Sequence, residues 1–286
     1  MKINSYYVLY NPYANSGKCE ADARLLTAVY NEELFFIDVT KISNYEVFFS
    51  GLASDEGVIL CGGDGTLNRF INAIRDIKIT VPIYYFPCGT GNDFATDIGY
   101  SVGGLPMKIN ASLENLPIAT VNGEDYYFIN GVGFGIDGYC AEVGDELRKK
   151  GVNKINYTKI AIKGLLGDFK PRKATVTVDG KEYFFNNVWI APTMKGRFYG
   201  GGMMSAPKQN RNSFKKELSL VVFYGKSRLK TLMNFPKIFK GTHVKCENNV
   251  KLLKGKNISV EFDKPTSLQI DGETFLNVTK YSVKAE

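Results

Sequence analysis

The sequence predicts an α/β protein with a doubly wound parallel sheet in residues 1–121 and a largely antiparallel β domain in residues 122–286. In the first part, short apolar strands alternate with helical segments, which is typical of a parallel sheet. In the second part, strands follow one another through turn signals such as Asp179-Gly180. A length of 286 residues suits two domains.

Each element of the first domain is predicted from its periodicity. The expected strands are Tyr6–Tyr10, Leu34–Val39, 58–61 and 83–87, and the expected helices are 21–34 and 67–77. Ligands of such sheets bind at the carboxyl ends of the strands, and each Gly-rich turn of this domain falls at such an end. The second domain is expected to contain helical stretches near 154–169 and 227–240.

Composition narrows the class of protein. Hydrophobic residues make up 44% and charged residues 23%, as in ordinary globular proteins. The sequence has no apolar run near 18 residues and no signal-peptide pattern at its start. Its five cysteines are scattered and odd in number, which indicates reduced thiols in a cytoplasmic protein.

The charge is distributed unevenly along the chain. Residues 1–121 hold eight Lys and Arg against thirteen Asp and Glu, whereas the remainder holds 28 against sixteen, for net charges of −5 and +12. Residues 147–173 carry nine bases and one acid, and residues 226–245 carry six bases and no acid. Such polarity predicts a polyanionic surface as partner, either anionic lipid or nucleic acid.

The segment GGDGT, residues 62–66, follows the third strand and precedes a helix. Glycines at this place let backbone amides approach phosphate oxygens, and the N-terminus of the helix favours the anion. Asp64 would repel a phosphate directly, so its presence indicates a divalent cation shared with the phosphates. The alternative is a tight turn in which Asp64 caps the helix.

A second segment of the same kind, PCGTGNDFA at residues 87–95, follows the next strand. Two neighbouring strands therefore each end in a Gly-rich turn that bears one Asp. We expect Asp64 and Asp93 to lie close together at one edge of the sheet. Two adjacent carboxylates are costly unless a metal or a proton offsets their repulsion.

The loop NPYANSGK, residues 11–18, follows the first strand. It lacks the spacing of a Walker P-loop, but Ser16, Gly17 and Lys18 precede a helix and Asn11 could bind phosphate through a hydrogen bond. The loop is thus a candidate anion-binding site. The alternative is an Asn-Pro turn with a solvated Lys18.

Together, GGDGTLN (62–68), GTGNDFA (89–95) and SLQIDGE (267–273) resemble the catalytic-domain family of diacylglycerol kinases, which includes bacterial lipid kinases and sphingosine and ceramide kinases. The resemblance covers nearly the whole chain, including FINGVGFGIDG at 128–138 and GGGM at 200–203. It implies a nucleotide-binding first domain, a β-sandwich second domain, and catalysis in the cleft between them. The final residues would make at most a short return to the first domain.

The resemblance also implies a role for individual residues, with ATP and Mg²⁺ as cofactors. Residues that would contact the nucleotide are Asn11, Ser16, Gly17, Lys18, Thr40, Gly62, Gly63, Asp64, Gly65, Thr66, Asn68 and Thr90. Asp64 and Asp93 would face the catalytic Mg²⁺, directly or through water. Glu273 would be the general base that takes the proton of a lipid hydroxyl as it attacks the γ-phosphorus.

One segment departs from the family pattern. Many bacterial members carry an Asp-rich run after the GGG…P element, where a second, structural Mg²⁺ binds. The corresponding stretch here, SAPKQNRNSFKKELSL at 205–220, has Asn210, Asn212 and Ser213 and no Asp. We therefore expect no structural Mg²⁺ at this position.

The basic helix near 154–169 is a candidate membrane contact. A helical wheel places the apolar residues Ile155, Ile162, Leu165, Leu166 and Phe169 on one face, flanked by Lys159, Lys163 and Lys170. That arrangement is typical of a helix lying on anionic lipid. The alternative is a helix whose apolar face packs on the core. No nucleic-acid recognition motif is present, so nucleic acid is not expected as a partner.

These observations predict an ATP-dependent lipid kinase, peripheral at the cytoplasmic face of the membrane, with diacylglycerol as the first candidate acceptor. Two alternatives stay open. One is a kinase of a soluble acceptor, as in the related NAD kinases, and the other is a nucleotide-binding regulatory module without catalysis. The acceptor, the nucleotide preference and the oligomeric state cannot be read from the sequence.

Overall fold

The computed structural model describes residues 2–101, 103–152 and 155–286, which form two compact units, 1–115 and 116–286. Each unit contains its own sheet. The change of sequence texture near residue 121 coincides with the end of a strand, Ile118–Val121, that pairs within the second sheet. Of the helices in the described ranges, none is long and apolar enough to cross a membrane.

The first unit is an α/β domain around a five-stranded sheet, in the order β2-β1-β3-β4-β5. Its strands are β1 (Ser5–Tyr10), β2 (Glu33–Asp38), β3 (Glu56–Gly62), β4 (Ile83–Pro87) and β5 (Met107–Lys108). Its helices are α1 (Cys19–Arg24), α2 (Tyr45–Ser50), α3 (Asp64–Ala73) and α4 (Asp93–Asp97). Strands β1 to β4 are parallel, as predicted, and only the two-residue β5 pairs antiparallel, with β4.

The first unit departs from the prediction mainly at the ends of its helices. The helix expected over 21–34 is a shorter α1 followed by a 3-10 turn, Leu25–Ala28. Leu25 and Val29 are exposed there, while Leu26 is buried in the core, so only part of the apolar repeat beyond Arg24 packs inward. Helix α3 begins earlier than predicted, at Asp64, because the glycine turn ends at Gly63 and the helix starts at once.

The second unit is built on nine strands in the order β12-β11-β10-β8-β13-β14-β6-β7, with β9 paired to both β10 and β13. The strands are β6 (Ile118–Val121), β7 (Glu124–Tyr127), β8 (Gly131–Gly135), β9 (Arg172–Val178), β10 (Lys181–Met194), β11 (Leu218–Tyr224), β12 (Val250–Gly255), β13 (Asn257–Ile270) and β14 (Glu273–Lys284). All of these pairs are antiparallel, as expected for a sandwich.

Two long strands of the second unit, β10 and β13, change pairing partners along their length. The first half of β10 pairs with β9 and its second half with β8 and β11. In the same way, β13 pairs with β9 at its start and with β8 at its end. Each long strand therefore belongs to two layers, and an apolar core that includes Phe134, Leu220 and Tyr281 fills the space between them.

The second unit also contains three α-helices: α5 (Ile136–Lys149), α6 (Tyr157–Lys163) and α7 (Arg228–Asn234). Helix α5 was not predicted, because GVGFGI reads as one continuous strand. The strand ends at Gly135, whose φ of 101° and whose contact with Trp189 leave no room for a side chain. Residue 154, where a helix was expected to begin, lies outside the described residues.

The proposed membrane face of α6 needs a correction. Phe169 and Leu165 are buried in an apolar cluster with Trp189, so neither can contact a membrane. Lys159, Lys163 and Leu166 are exposed, as expected. The wheel treated residues 155–169 as one α-helix, whereas α6 ends at Lys163, a π-helical turn spans Gly164–Asp168, and Phe169 follows with an extended backbone.

Candidate active site

The residues predicted to bind nucleotide are gathered at one edge of the first sheet, where its four parallel strands end. Asn11 follows β1, Thr40 follows β2, and the two Gly-rich turns follow β3 and β4. The strand order reverses direction between β1 and β3, which is the point where sheets of this type bind ligands. Asn11 bridges that point, because its Nδ2 donates to Thr66 Oγ1 over 2.8 Å.

The glycines of the two turns allow close packing of backbone on backbone. A side chain on Gly89 would lie 2.5 Å from the Cα of Gly63, and a side chain on Gly62 would overlap Thr66. Cys88 N donates to Gly62 O over 2.9 Å and joins the two turns further. The number of glycines in GGDGT is therefore explained in part by contact between the turns, in addition to any contact with phosphate.

Asp64 caps a helix other than its own. Its two carboxylate oxygens accept hydrogen bonds from the backbone N–H groups of Asp93 and Phe94, each over 3.0 Å. These N–H groups belong to the first turn of α4, where a negative charge is favourable. The prediction that Asp64 and Asp93 lie close together is thus met by a side chain of one and the backbone of the other.

The turn that carries Asp93 is closed by Asn92. Its side chain accepts from Gly89 N over 3.0 Å and donates to Gly89 O over 2.8 Å, while its backbone is left-handed with φ 52°. Asp93 is buried and begins α4, whereas Thr90 is exposed at the tip of the turn. Thr90 is thus accessible to a ligand.

The loop 11–18 has an unusual backbone. Asn15, Ser16 and Gly17 are all left-handed, with φ of 51°, 54° and 85°. Two consecutive non-Gly residues in this region are strained, and such strain concentrates at binding loops. The side chains of Ser16 and Lys18 are exposed, and Asn15 Nδ2 donates to Asp22 over 3.0 Å.

The remaining residues predicted to contact the nucleotide differ in exposure and in hydrogen bonding. Thr40 is exposed, but its N–H and hydroxyl both donate to Asp38 Oδ1, so it forms a turn at the end of β2. Thr66 and Asn68 are buried in the first two turns of α3, while Gly65 is half-buried. Thr66 therefore serves chiefly to hold Asn11.

The described carboxylates of the first unit do not form a metal site by themselves. Among the described residues, no group of three or more His, Cys, Asp or Glu side chains could hold a metal ion. Asp64 accepts backbone hydrogen bonds from the turn that carries Asp93, so the two acids lie close together. Two carboxylates fit a cation that arrives already coordinated by phosphate.

Glu273 lies in the second unit, just after a tight hairpin turn. Asp271 and Gly272 form the turn between β13 and β14, with φ of 46° and 94°, and Ile270 pairs with Glu273 across it. Asp-Gly is a favoured pair in such turns because both positions need positive φ. Glu273 itself is half-buried. The turn fixes its backbone at the first position of β14.

Asp271 holds this hairpin in place, a role that the sequence analysis missed. Its buried carboxylate accepts from the backbone N–H groups of residues 129, 130 and 131, over 2.6, 2.9 and 2.8 Å. The guanidinium of Arg211 donates to Ile129 O and to Asn130 Oδ1 in the same segment. The sequence signal for this role was Asp271 itself, within the motif SLQIDGE.

The segment that departs from the family pattern is basic in the structure as well. Lys195 is partly buried, and burial together with the charges of Arg211 and Lys216 lowers its pKa. Asn210 and Ser213 form a turn through the hydrogen bond from Ser213 N to Asn210 O. A cluster of cations disfavours a divalent metal at this place, and the absence of the structural Mg²⁺ stays a prediction.

A second buried carboxyl of this unit is Asp137, in the first turn of α5. Burial raises its pKa to about 8, and one of its oxygens accepts a hydrogen bond from Tyr199 OH over 3.1 Å. Its other oxygen has no described partner. The side chain fits only because Gly133 has none, since a Cβ there would lie 2.4 Å from Asp137. Burial therefore favours the neutral form of this carboxyl.

Comparison with known families matches both units. Residues 5–121 match the diacylglycerol kinase catalytic domain, and residues 130–282 match the YegS C-terminal NAD kinase beta sandwich-like domain. These two matches cover the predicted motifs, from the loop after β1 to the DGE turn. They account for most of the chain.

Individual relatives agree with these matches. A candidate lipid kinase of Staphylococcus haemolyticus is 30% identical over 77% of this chain and 70% of its own. A diacylglycerol kinase of Mycobacterium tuberculosis is 26% identical over 72% of this chain and 67% of its own. Both comparisons extend well beyond a single motif.

A solved structure shares the fold. A candidate diacylglycerol kinase from Bacillus anthracis superposes with a TM-score of 0.70 at 19% identity, over 99% of this chain and 93% of that one. This likeness shows the architecture of a parallel-sheet unit followed by an antiparallel sandwich. The sequence matches over both units establish that the chain belongs to the diacylglycerol kinase catalytic-domain family.

Proposed function

We propose that this protein is an ATP-dependent kinase that phosphorylates the hydroxyl group of diacylglycerol. Family membership supports phosphate transfer to a lipid alcohol in general, and the name of the mycobacterial relative supports diacylglycerol as the first acceptor to test. The observation that carries the proposal is the joined pair of Gly-rich turns, in which Asp64 caps the helix that begins at Asp93.

In this proposal the edge of the first sheet binds the nucleotide. The loop 11–18 and its Lys18 ammonium group receive phosphate oxygens. The turn after β3 supplies the N-terminus of α3 to the same phosphates. The preformed hydrogen bonds of Asn11, Asp64 and Asn92 support this assignment, because a rigid loop loses less entropy on binding.

Mg²⁺ is proposed to accompany the nucleotide, with Asp64 and Asp93 holding its coordinated waters. The ion would neutralise charge that develops on the transferred phosphoryl group. Asp64 is suited to this role because its two backbone hydrogen bonds fix the direction of its carboxylate.

Glu273 is proposed as the general base. A primary hydroxyl must lose its proton as its oxygen bonds to the γ-phosphorus and the bond to the β-phosphate oxygen breaks, with the electron pair leaving on ADP. Positioning of Glu273 is supported by the Asp271-Gly272 turn and by the three backbone hydrogen bonds to Asp271. We propose that the protein works at the cytoplasmic surface of an anionic membrane, where its substrate resides.

The test is transfer of labelled γ-phosphate from Mg-ATP to a panel of lipid alcohols in anionic mixed micelles. We expect phosphatidic acid from diacylglycerol, and a kcat about 10²- to 10⁴-fold lower for Glu273→Gln, which keeps the shape but cannot accept the proton. Glu182→Gln, at an exposed position of β10, is the matched control and should retain the wild-type rate.

Three other results would change the proposal. Product from a lipid other than diacylglycerol would replace the acceptor and keep the reaction. Product that persists in Glu273→Gln would reject this residue as the base. A folded, nucleotide-binding protein without lipid product would indicate a soluble acceptor or a regulatory module.

A further inference from the structure

Two helices of the second unit present apolar side chains to solvent on adjacent outward faces. Leu166, in the π-helical turn after α6, is 64% exposed, and Leu229 and Met233 of α7 are each 67% exposed. Isolated exposed apolar residues need no explanation, but grouped ones indicate an interaction site. Ile162 of α6 adds a fourth, at 42% exposed.

The two helices form one surface because they share a buried side. Ile160, Leu165 and Phe169 pack in the same apolar cluster as Phe235 and Ile238, which follow α7. The turn Gly164–Asp168 contacts α7 directly. Since both elements bury one face in a common cluster, their opposite faces lie side by side.

Arg228 fixes the two elements together. Its guanidinium donates to the main-chain oxygens of Leu165 and Phe169 over 3.1 and 3.2 Å, and it lies 5.1 Å from the centre of the Trp189 ring. These carbonyls lie at the end of the π-helical turn, where they lack partners within the helix. Arg228 thus acts as a structural link, and the cations available to a partner are the lysines.

Exposed lysines lie on the same elements as the exposed apolar residues. Lys159 and Lys163 lie on α6, Lys230 lies on α7, and Lys237 and Lys240 follow in the next 3-10 turns. Asp168 is the one acid between 155 and 170, and it pairs with Lys163 over 3.3 Å. Exposed apolar residues and lysines on the same helices fit the interface of a bilayer. The apolar groups would lie among the acyl chains and the ammonium groups at lipid phosphates.

We propose that α6, its π-helical turn and α7 form a single docking surface for an anionic lipid bilayer, with Leu166, Leu229 and Met233 as the inserting residues. This deepens the proposed function, on which its biological purpose rests. It extends the membrane face expected from sequence, because α7 supplies most of the exposed apolar residues, and it omits Phe169. A nucleic acid would bind the lysines through its phosphates and would not explain the exposed apolar residues.

The test measures binding of the full chain to sedimented vesicles, one set of equal parts phosphatidylglycerol and phosphatidylcholine and one of phosphatidylcholine alone. We expect binding to the anionic set only. Leu229→Ser/Met233→Ser should weaken it by at least about tenfold, as should Lys159→Glu/Lys230→Glu, since insertion and charge both contribute. The thermal unfolding midpoint of each variant shows that it is folded.

Leu25→Ser provides the matched control, because Leu25 is also 67% exposed but lies in the first unit. It should bind vesicles as the wild type does. Equal binding by the wild type and the Leu229/Met233 variant would overturn the docking surface, as would loss of binding in Leu25→Ser. So would binding to a single-stranded oligonucleotide that competes with vesicles and depends on the lysines alone.

Failure here can be told apart from failure of the proposed function. Vesicle binding is measured without nucleotide and does not require phosphate transfer. Lipid phosphorylation by a protein whose vesicle binding ignores these substitutions would overturn the docking surface and keep the kinase. Substitution-sensitive binding by a protein that phosphorylates no lipid would support the docking surface and reject the kinase.

Discussion

Asp64 illustrates how one side chain can serve both the structure and a binding site. Sequence alone left two interpretations, a metal-facing acid or a helix cap, and the structure gives Asp64 a capping role on a helix far along the chain. The two roles are compatible, because capping fixes the direction of the carboxylate. A sequence cannot reveal such a cap, since the capped N–H groups are distant along the chain.

The capping role predicts a cost for Asp64→Asn. Asparagine offers one acceptor oxygen and turns an NH₂ group toward a backbone N–H, so one hydrogen bond is lost and two donors oppose each other. We expect the free energy of unfolding of the first unit to fall by about 1–3 kcal/mol in urea titrations. Asp76→Asn, which removes an exposed ion pair with Arg75, should change it by less than about 0.5 kcal/mol. Equal effects of the two substitutions would contradict the capping role.

Asp137 predicts a pH dependence of stability in the second unit. Its pKa is about 8 in the folded protein and about 4 in an unfolded chain, so between these values the folded state binds the extra proton. Stability from this group is therefore greatest below pH 4 and falls as pH rises, levelling off above pH 8. Each unit of difference in pKa corresponds to about 1.4 kcal/mol, an upper bound because buried groups relax.

Asp137→Asn should remove this pH dependence. Urea unfolding at pH 5, 6, 7 and 8 should show that the wild type loses stability across the series relative to the variant. Tyr199→Phe is an informative companion, because the lost hydroxyl favours the ionised form and its removal should extend the loss to higher pH. Parallel curves for wild type and Asp137→Asn would show that the carboxyl is ionised throughout.

At the scale of elements, the two Gly-rich turns behave as one unit. Gly89 and Gly63 are in backbone contact, and Asp64 joins the first turn to the second through the backbone of Asp93 and Phe94. The sequence predicted both turns and their common edge from the succession of strands along the chain. It could not predict the contact between them, because glycine leaves no side chain whose pattern would indicate a neighbour.

This contact predicts that Gly89→Ala harms both stability and nucleotide binding. The added methyl group would lie 2.5 Å from the Cα of Gly63, which is backbone and cannot turn aside. We expect a loss of about 1–3 kcal/mol in stability and at least about tenfold weaker ATP binding by titration calorimetry. Gly167→Ala meets open space and is the control. Unchanged ATP affinity in a folded Gly89→Ala would show that the turns do not contact the nucleotide.

The errors in predicting the helices share one physical cause. Helix α5 was missed because its first residues continue an apolar run, and the turn into it depends on the conformation of Gly135. On α6, the wheel assumed a continuous α-helix, but Phe169 follows the π-helical turn with an extended backbone and is buried in the core together with Leu165. In both cases a local backbone irregularity, stabilised by tertiary packing, decided which side of the element faces solvent.

At the scale of the whole molecule, the sequence predicted the succession of a parallel and an antiparallel sheet, and the family match confirms both parts. The strand texture sufficed because it depends on local periodicity. The crossing of β10 and β13 between layers was not predictable, since each reads as a single long strand and only its pairing partners reveal the change. Hydrogen bonds such as those of Asp271 and Arg211 depend on the same long-range pairing.

The division of charge between the two ends of the chain predicts that its two ligands act on different parts of the protein. Residues 1–121 carry a net charge of −5 and the remainder carries +12. Mg-ATP should slow hydrogen–deuterium exchange in 11–18, 62–68 and 89–95. Phosphatidylglycerol vesicles should slow it in 157–170 and 226–240, and about 0.5 M salt should weaken that vesicle effect because lysine–phosphate attraction is screened. Slower exchange in residues 1–115 with vesicles alone would assign the membrane contact to the first unit, and no change there with Mg-ATP would reject the sheet edge as the nucleotide site.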